Sequence, residues 1–236
     1  YVDEYHVISQ KTEKDLSSLT EKKITSIPFW INNNIFFNIE NKTNLRNLFG
    51  FNKEDYLIGS FQRDTEGKDL HSPKLIKGPD IFVKVVKKIS ERYDICCLLT
   101  GPSRGYVISE LEKYNIDYVY YQATKTQLCE MYSCLDIYLI TSREEGGPMG
   151  LMESMASGVP VISSKVGQCE ELIKNEKNGY LVNISDEKSY LNYLEHLIKN
   201  KISPQLISNG RDTAVANSYN KQKNQWVKFF RGIVQI

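Results

Sequence analysis

From residue 56 onward, short and almost wholly apolar runs alternate with helical patterns, and few folds accommodate that rhythm. The runs are YLIGSF (residues 56–61), ICCLLT, DYVYY, LDIYLIT, VPVISS and YLVN. Between the first two, Ile81, Phe82, Val85, Val86 and Ile89 recur at helical spacing. VISELEKY, TQLCEMYS, GLMESMAS and CEELIKN fill the later gaps as helices, GLMESMAS being closed by Gly158. Strands separated by helices imply parallel βαβ units. Strands this continuously apolar imply a sheet covered on both faces. The expected fold is therefore α/β, a Rossmann-like parallel sheet with helices on both faces. Such sheets bind ligands beyond the carboxyl ends of their strands, so functional residues are expected just after each strand.

The flanks read differently. YVDEYHVISQ is extended, KTEKDLSSLT is a polar helix, and KITSIPF is extended again with Pro28 as punctuation. WINNNIFFNIENKTN is rich in Asn, which favours turns, and reads as an irregular linker. Two or three helices finish the chain, and in the last of them Trp226, Phe229 and Phe230 form a packing face. Four segments follow: 1–30, a separate small body; 31–55, a linker; 56–218, the α/β domain; and 219–236, a terminal helix.

With 41% hydrophobic and 25% charged residues the chain can bury a core. A net charge of +1 points to neither nucleic acid nor an acidic membrane as partner. No apolar run approaches the roughly 20 residues that span a bilayer, so no transmembrane segment is expected. No export signal opens the sequence, so a cytoplasmic location is expected. Cys96, Cys97, Cys129, Cys134 and Cys169 are odd in number and lack a C-x-x-C pair, which argues against a disulfide framework or a zinc site. They read as small core residues.

The segment after LDIYLIT carries the strongest chemistry: SREEGGPMGLMESMASGVPVISSKVG, residues 142–167. Gly146 and Gly147 let the backbone approach a ligand closely, and Pro148 suits a first helical turn. The free N–H groups of such a turn form an anion site. Glu145 ends the loop, and Glu153 lies about a turn and a half into the helix. A carboxylate there can accept two hydrogen bonds from a diol such as a ribose. The plainer alternative is a capped helix with solvated glutamates. Gly101 and Gly105 do not complete G-x-G-x-x-G, so the dinucleotide fingerprint is absent. Residues 166–171, VGQCEE, cap another helix start.

The E-x-x-x-x-x-x-x-E spacing from Glu145 to Glu153, within that Gly-rich turn, resembles the signature of family 4 glycosyltransferases and their GT-B relatives. The resemblance covers nearly the whole chain. It implies that Glu145 contacts a donor sugar, that Glu153 binds ribose hydroxyls, and that Gly147, Met149 and Gly150 offer amides to sugar and phosphate. GSFQRDTEGKDLHSPKLIKGPDIF is similar to the family's first strand and the Lys-Gly that follows it, which implies that Arg63 and Lys77 hold the diphosphate. Arginine offers that anion a fork and lysine a point charge. The loop between the two is longer than the family's, so Lys74 rivals Lys77, and His71 reads as a loop residue. Gly101 falls near the phosphates, and Tyr121 and Gln122 fall where relatives recognise the base.

The implied reaction is retaining transfer of a sugar from a UDP- or GDP-sugar to an acceptor hydroxyl, by a hexosyltransferase. Catalysis would rest on Glu145, Arg63 and Lys77. The resemblance implies no cofactor and no metal, and the sequence has no Asp-x-Asp motif. In the family the acceptor, a sugar or lipid-linked acceptor, binds a preceding domain for which this length leaves no room; the resemblance makes residues 1–30 a remnant of that domain with its hinge, and 219–236 a helix that crosses back to it. The chain is thus expected to be a fragment, a proteolytic remnant or one part of a split enzyme. Alone it is expected to be inactive, and in the whole enzyme cytoplasmic and peripheral to the membrane. A non-catalytic nucleotide-sugar-binding subunit and a sugar-nucleotide epimerase of the same fold remain alternatives.

Overall fold

The computed structural model describes residues 2–52, 54–67 and 70–233. Tyr1 of the first strand reading, Lys53 of the linker, Lys68 and Asp69 of the long loop, and residues 234–236 of the last segment lie outside the described residues.

Six strands form one parallel sheet in the order β5-β4-β3-β6-β7-β8. They are β3 (Tyr56–Ser60), β4 (Ile95–Thr100), β5 (Tyr118–Tyr121), β6 (Ile137–Ile140), β7 (Val161–Ser164) and β8 (Tyr180–Val182). Alternation along each strand feeds two cores, one per face. Leu57, Leu98, Tyr138 and Ile140 enter one core; Ile58, Cys97, Leu99, Ile137 and Leu139 enter the other. Helices α3 (Pro79–Ser90), α4 (Gly105–Lys113) and α8 (Glu187–Lys199) cover the second face, with Phe82, Val86, Leu111 and Leu194 among its buried residues. On the first face lie α5 (Lys125–Cys134), α6 (Met149–Ala156), the short α7 (Gln168–Leu172) and α9 (Pro204–Ala216). Gly158 ends α6 at φ +76°, as expected of a helix-terminating glycine.

The Asn-rich stretch corrects the irregular reading of residues 31–55. It contains α2 (Lys42–Leu48), whose first turn is capped by the Asn41 side chain accepting from Asn44 N at 3.1 Å. The helix is fixed from outside its own sequence. Buried Arg46 donates to the Cys134 carbonyl at 2.8 and 2.9 Å and pairs with Asp136, which also takes Lys42 Nζ at 2.8 Å.

Upstream, β1 (Glu4–Val7), α1 (Gln10–Ser17) and β2 (Lys23–Ser26) form a small parallel βαβ unit with its own two-stranded sheet. The last helix, α10 (Tyr219–Ile233), reaches it. The His6 ring sits 4.6 Å from Trp226 and 5.6 Å from Phe229, and Gln222 Nε2 donates to Phe29 O at 3.4 Å. The chain passes between the unit and the large sheet twice, and the passes are joined: Ile31 N donates to Asn217 O at 3.1 Å and Tyr219 N to Ile31 O at 2.9 Å. Among the described residues no helix is long and apolar enough to cross a membrane.

Candidate functional site

Strand order reverses at the β3/β6 pair. From β3 the chain builds outward through β4 and β5, then returns to lay β6 on the other side. The two loops leaving the carboxyl ends of β3 and β6 therefore part there and leave a crevice. A cavity of about 250 Å³ occupies it, and among the described residues its charged lining is Lys77, Glu145 and Glu153.

The loop after β3 delivers Lys77. It ends in a 3₁₀ turn, Leu75–Lys77, followed by Gly78 at φ +64°. A Cβ on Gly78 would overlap the Thr141 carbonyl at the end of β6, and Thr141 Oγ1 donates to Gly78 O at 2.9 Å. Only glycine lets the two loops approach this closely. Arg143 fixes the turn by donating to Leu75 O at 2.6 Å and forking onto both Asp80 carboxylate oxygens at 2.7 Å. Gln62 Nε2 donates to the Lys77 carbonyl at 2.7 Å. Lys77 Nζ then reaches Glu145 Oε1 at 2.5 Å, and Ser142 Oγ donates to the same oxygen at 3.0 Å.

The loop after β6 is a layered turn. A Cβ on Gly167, at φ +42°, would overlap the carbonyls of Glu145 and Gly146, and one on Gly147 would overlap Gln168 Oε1. Gln168 N donates to Gly146 O at 3.0 Å, tying the start of α7 to the turn. Pro148 is the N-cap of α6 rather than its first helical residue, so Met149 and Gly150 open the helix along the cavity wall. Amides at a helix start have no intrahelical acceptor and favour anions. Gly150 lies against the Tyr138 hydroxyl, where a Cβ would come within 2.6 Å.

Glu153 projects from α6 into the same cavity and accepts from Tyr132 OH at 2.9 Å. Burial pushes its carboxyl above the usual range, and the Tyr132 hydrogen bond opposes that shift. The Tyr132 ring lies 4.6 Å from Phe61 and 5.2 Å from Tyr138.

The structure thus gathers Lys77, Glu145, Gly147, Met149, Gly150 and Glu153 around one cavity. It leaves Arg63, Gly101, Tyr121 and Gln122 to one side, toward the ends of β4 and β5. Exposed Arg63 donates to Gly67 O at 3.1 Å and Ser103 Oγ at 3.2 Å. Gly101 takes φ +93° beside the Phe61 carbonyl, and Tyr121 donates to Phe49 O at 3.2 Å. Gln122 is exposed. Lys74, the rival of Lys77, does not line the cavity; its N–H donates to Asp64 O at 2.8 Å. Asp64 and Arg104 form an ion pair with Nε–Oδ2 3.1 Å, each side chain 1% exposed, that ties the long loop to the β4–α4 turn. Burial pushes the Asp64 carboxyl up to about 6 against the Arg104 charge. Nothing in the sequence singles out Gln62, Ser142, Tyr132 or Tyr138, which read as turn or core residues. Among the described residues no group of three His, Cys, Asp or Glu is placed to hold a metal ion.

Because the turn tolerates no side chain at residue 167, Gly167→Ala should lower stability by about 1–3 kcal/mol, the usual cost of overpacking. Urea denaturation checks this; an unchanged midpoint would mean that the turn repacks freely.

A parallel sheet with a glycine-rich turn at its switch point is the architecture of one half of a GT-B enzyme, and solved structures share it. Sucrose-phosphate synthase from Thermosynechococcus elongatus superposes with TM-score 0.84 at 20% identity, over 99% of this chain and 59% of that one. Anabaena HepE in complex with UDP and glucose gives 0.82 at 15% identity, over 98% and 64%. Residues 70–213 match the family of glycosyl transferases group 1, and the chain belongs to that family. N-acetyl-alpha-D-glucosaminyl L-malate synthase of Bacillus anthracis is 22% identical over 184 residues, 76% of this chain and 45% of the relative. A UDP-Gal:alpha-D-GlcNAc-diphosphoundecaprenol alpha-1,3-galactosyltransferase of Escherichia coli is 31% identical over 85 residues, 36% of this chain and 22% of the relative. The chain therefore spans less than half the length of these two relatives.

Proposed function

We propose that the chain is the donor-binding part of a retaining hexosyltransferase that moves a sugar from a UDP- or GDP-sugar to an acceptor hydroxyl. The observation that carries this reading is the single crevice where Lys77, Glu145, Glu153 and the start of α6 converge at the β3/β6 switch point. In it, Lys77 and the first amides of α6 take the diphosphate, Glu145 the sugar and Glu153 the ribose diol. As the anomeric carbon–oxygen bond breaks, negative charge grows on the departing phosphate oxygen. A fixed cation and fixed N–H groups there stabilise it without reorganising, which is the main catalytic contribution of this half. Arg63, from its place beside Ser103, approaches the outer phosphate only if its loop shifts. Gly101, Tyr121 and Gln122, at the ends of β4 and β5, suit the base. The UDP held by the Anabaena protein favours UDP among the donors.

In this reading residues 56–218 are the donor domain, 1–30 belong to an acceptor domain and its hinge, 31–55 link the two, and 219–236 cross back. The whole enzyme works in the cytoplasm at the membrane surface, on a sugar or lipid-linked acceptor. No metal is needed, because the cation and the amides supply the charge. Calorimetry with UDP and GDP, with and without a chelator, tests this. Binding is expected to be equal in both conditions; binding that vanishes with the chelator would overturn the metal-free reading.

A further inference from the structure

Glu153 needs a partner that the glycine-rich turn does not supply. A carboxylate on a helix side chain has several rotamers, and one facing a largely apolar wall is drawn toward its neutral form. A neutral acid cannot accept two hydrogen bonds from a diol with both oxygens. Around Glu153, the groups that can act on it are few. Tyr132 comes from α5 and Tyr138 from β6; Lys77 and Glu145 lie in the same cavity but are engaged with each other at 2.5 Å. Of these only Tyr132 is hydrogen-bonded to it, at 2.9 Å to Oε2.

Tyr132 is itself held firmly. It is 1% exposed, and its ring is edged by Phe36 at 6.1 Å, Phe61 at 4.6 Å and Tyr138 at 5.2 Å. Those rings come from three different parts of the chain, so the phenol oxygen has essentially one place to be. Its O–H can be given to only one acceptor, and that acceptor is Glu153 Oε2. Oε1 makes no hydrogen bond to it.

We propose that Tyr132 is a positioning residue of the donor site, whose buried phenol pins one oxygen of Glu153 and so holds the ionised carboxylate turned for a ribose diol. The inference rests on the donor reading above and names what that reading leaves out: the group that makes Glu153 competent. A hydrogen bond given to the charged form lowers a carboxyl pKa, so removing it raises the pKa and the acid neutralises earlier as pH falls.

The test is calorimetry on the 236-residue chain and its Tyr132→Phe variant with UDP, 2′-deoxy-UDP and inorganic diphosphate, from roughly pH 4 to 8, the span in which a buried carboxyl titrates. Wild type should prefer UDP over 2′-deoxy-UDP. Tyr132→Phe should lose roughly tenfold for UDP, the order carried by one charge-assisted hydrogen bond. It should lose much less for 2′-deoxy-UDP and nothing for diphosphate, and its UDP affinity should fall away at higher pH than that of wild type. Equal losses on all three ligands with an unmoved pH profile would reduce Tyr132 to a core residue and overturn the inference alone. Wild type that binds none of the three would overturn the donor reading and this inference with it. Glu153→Gln, which leaves Tyr132 in place, guards against a variant that fails to fold. It should remove the preference for UDP over 2′-deoxy-UDP while sparing diphosphate, and a preference that persists would also overturn the inference.

Discussion

The 236-residue chain is expected to bind a nucleotide sugar and transfer almost none of it. Its crevice opens at one end of a single sheet, and the acceptor hydroxyl must be brought to about 3–3.5 Å from the anomeric carbon by something else. The chain matches 45% of one relative and 59% of another. Lost positioning removes roughly 7–11 kcal/mol of barrier reduction, which puts turnover below detection in an ordinary assay. Slow donor hydrolysis can survive, since water needs no site. Product formation by this chain is to be compared with that of a longer form carrying an upstream domain. Comparable rates would mean that the residues described here already hold an acceptor site.

The second large effect concerns the charges in the crevice. Lys77→Ala should weaken UDP by about 1.5–3 kcal/mol, the range for one charge-assisted hydrogen bond. Glu145→Gln should do the reverse to the bare nucleotide. Glu145 holds Lys77 at 2.5 Å, and a diphosphate must share or take that lysine beside a fixed negative charge. Neutralising the carboxylate removes the competitor, and affinity for UDP should rise by roughly 1 kcal/mol, a small share of the few kcal/mol between close charges at a partly buried site. The same change should abolish the extra affinity of UDP-glucose over UDP, because the sugar then loses its charged partner. Titrating both ligands into wild type and the two variants separates these effects. A Glu145→Gln variant that weakens UDP would show that the carboxylate contacts the nucleotide.

Sheet, helix order and the position of the crevice were all legible in the sequence, because continuous apolar strands and periodic helices leave little freedom. Lys77 was legible only as one of two lysines. The 3₁₀ turn separates them: Gly78 must sit against Thr141, and residue 77, not residue 74, lines the cavity. Arg63 lies to one side of the cavity because neighbours in sequence need not share a direction. Gln62 turns to the Lys77 carbonyl, while Arg63 turns away to Gly67 and Ser103. α2 was hidden by its asparagines, which disfavour helix locally but are overruled by Arg46 and Lys42 gripping the chain around Asp136. Tyr132 was hidden by chemistry: an aromatic residue on an apolar helix face reads as packing until its hydroxyl is seen to have a destination.

The paired crossings at Ile31 and Asn217–Tyr219 have a mechanical consequence. A single crossing would be a swivel, free to turn in any sense. Two segments laced by backbone hydrogen bonds, with the Trp30 and Tyr219 rings 5.1 Å apart beside them, form a flat ribbon. A ribbon bends easily about the one axis that lies across its width, and resists both twist and sideways shear. A shift of the small βαβ unit against the large sheet must therefore bend both segments together and carry α10 with it.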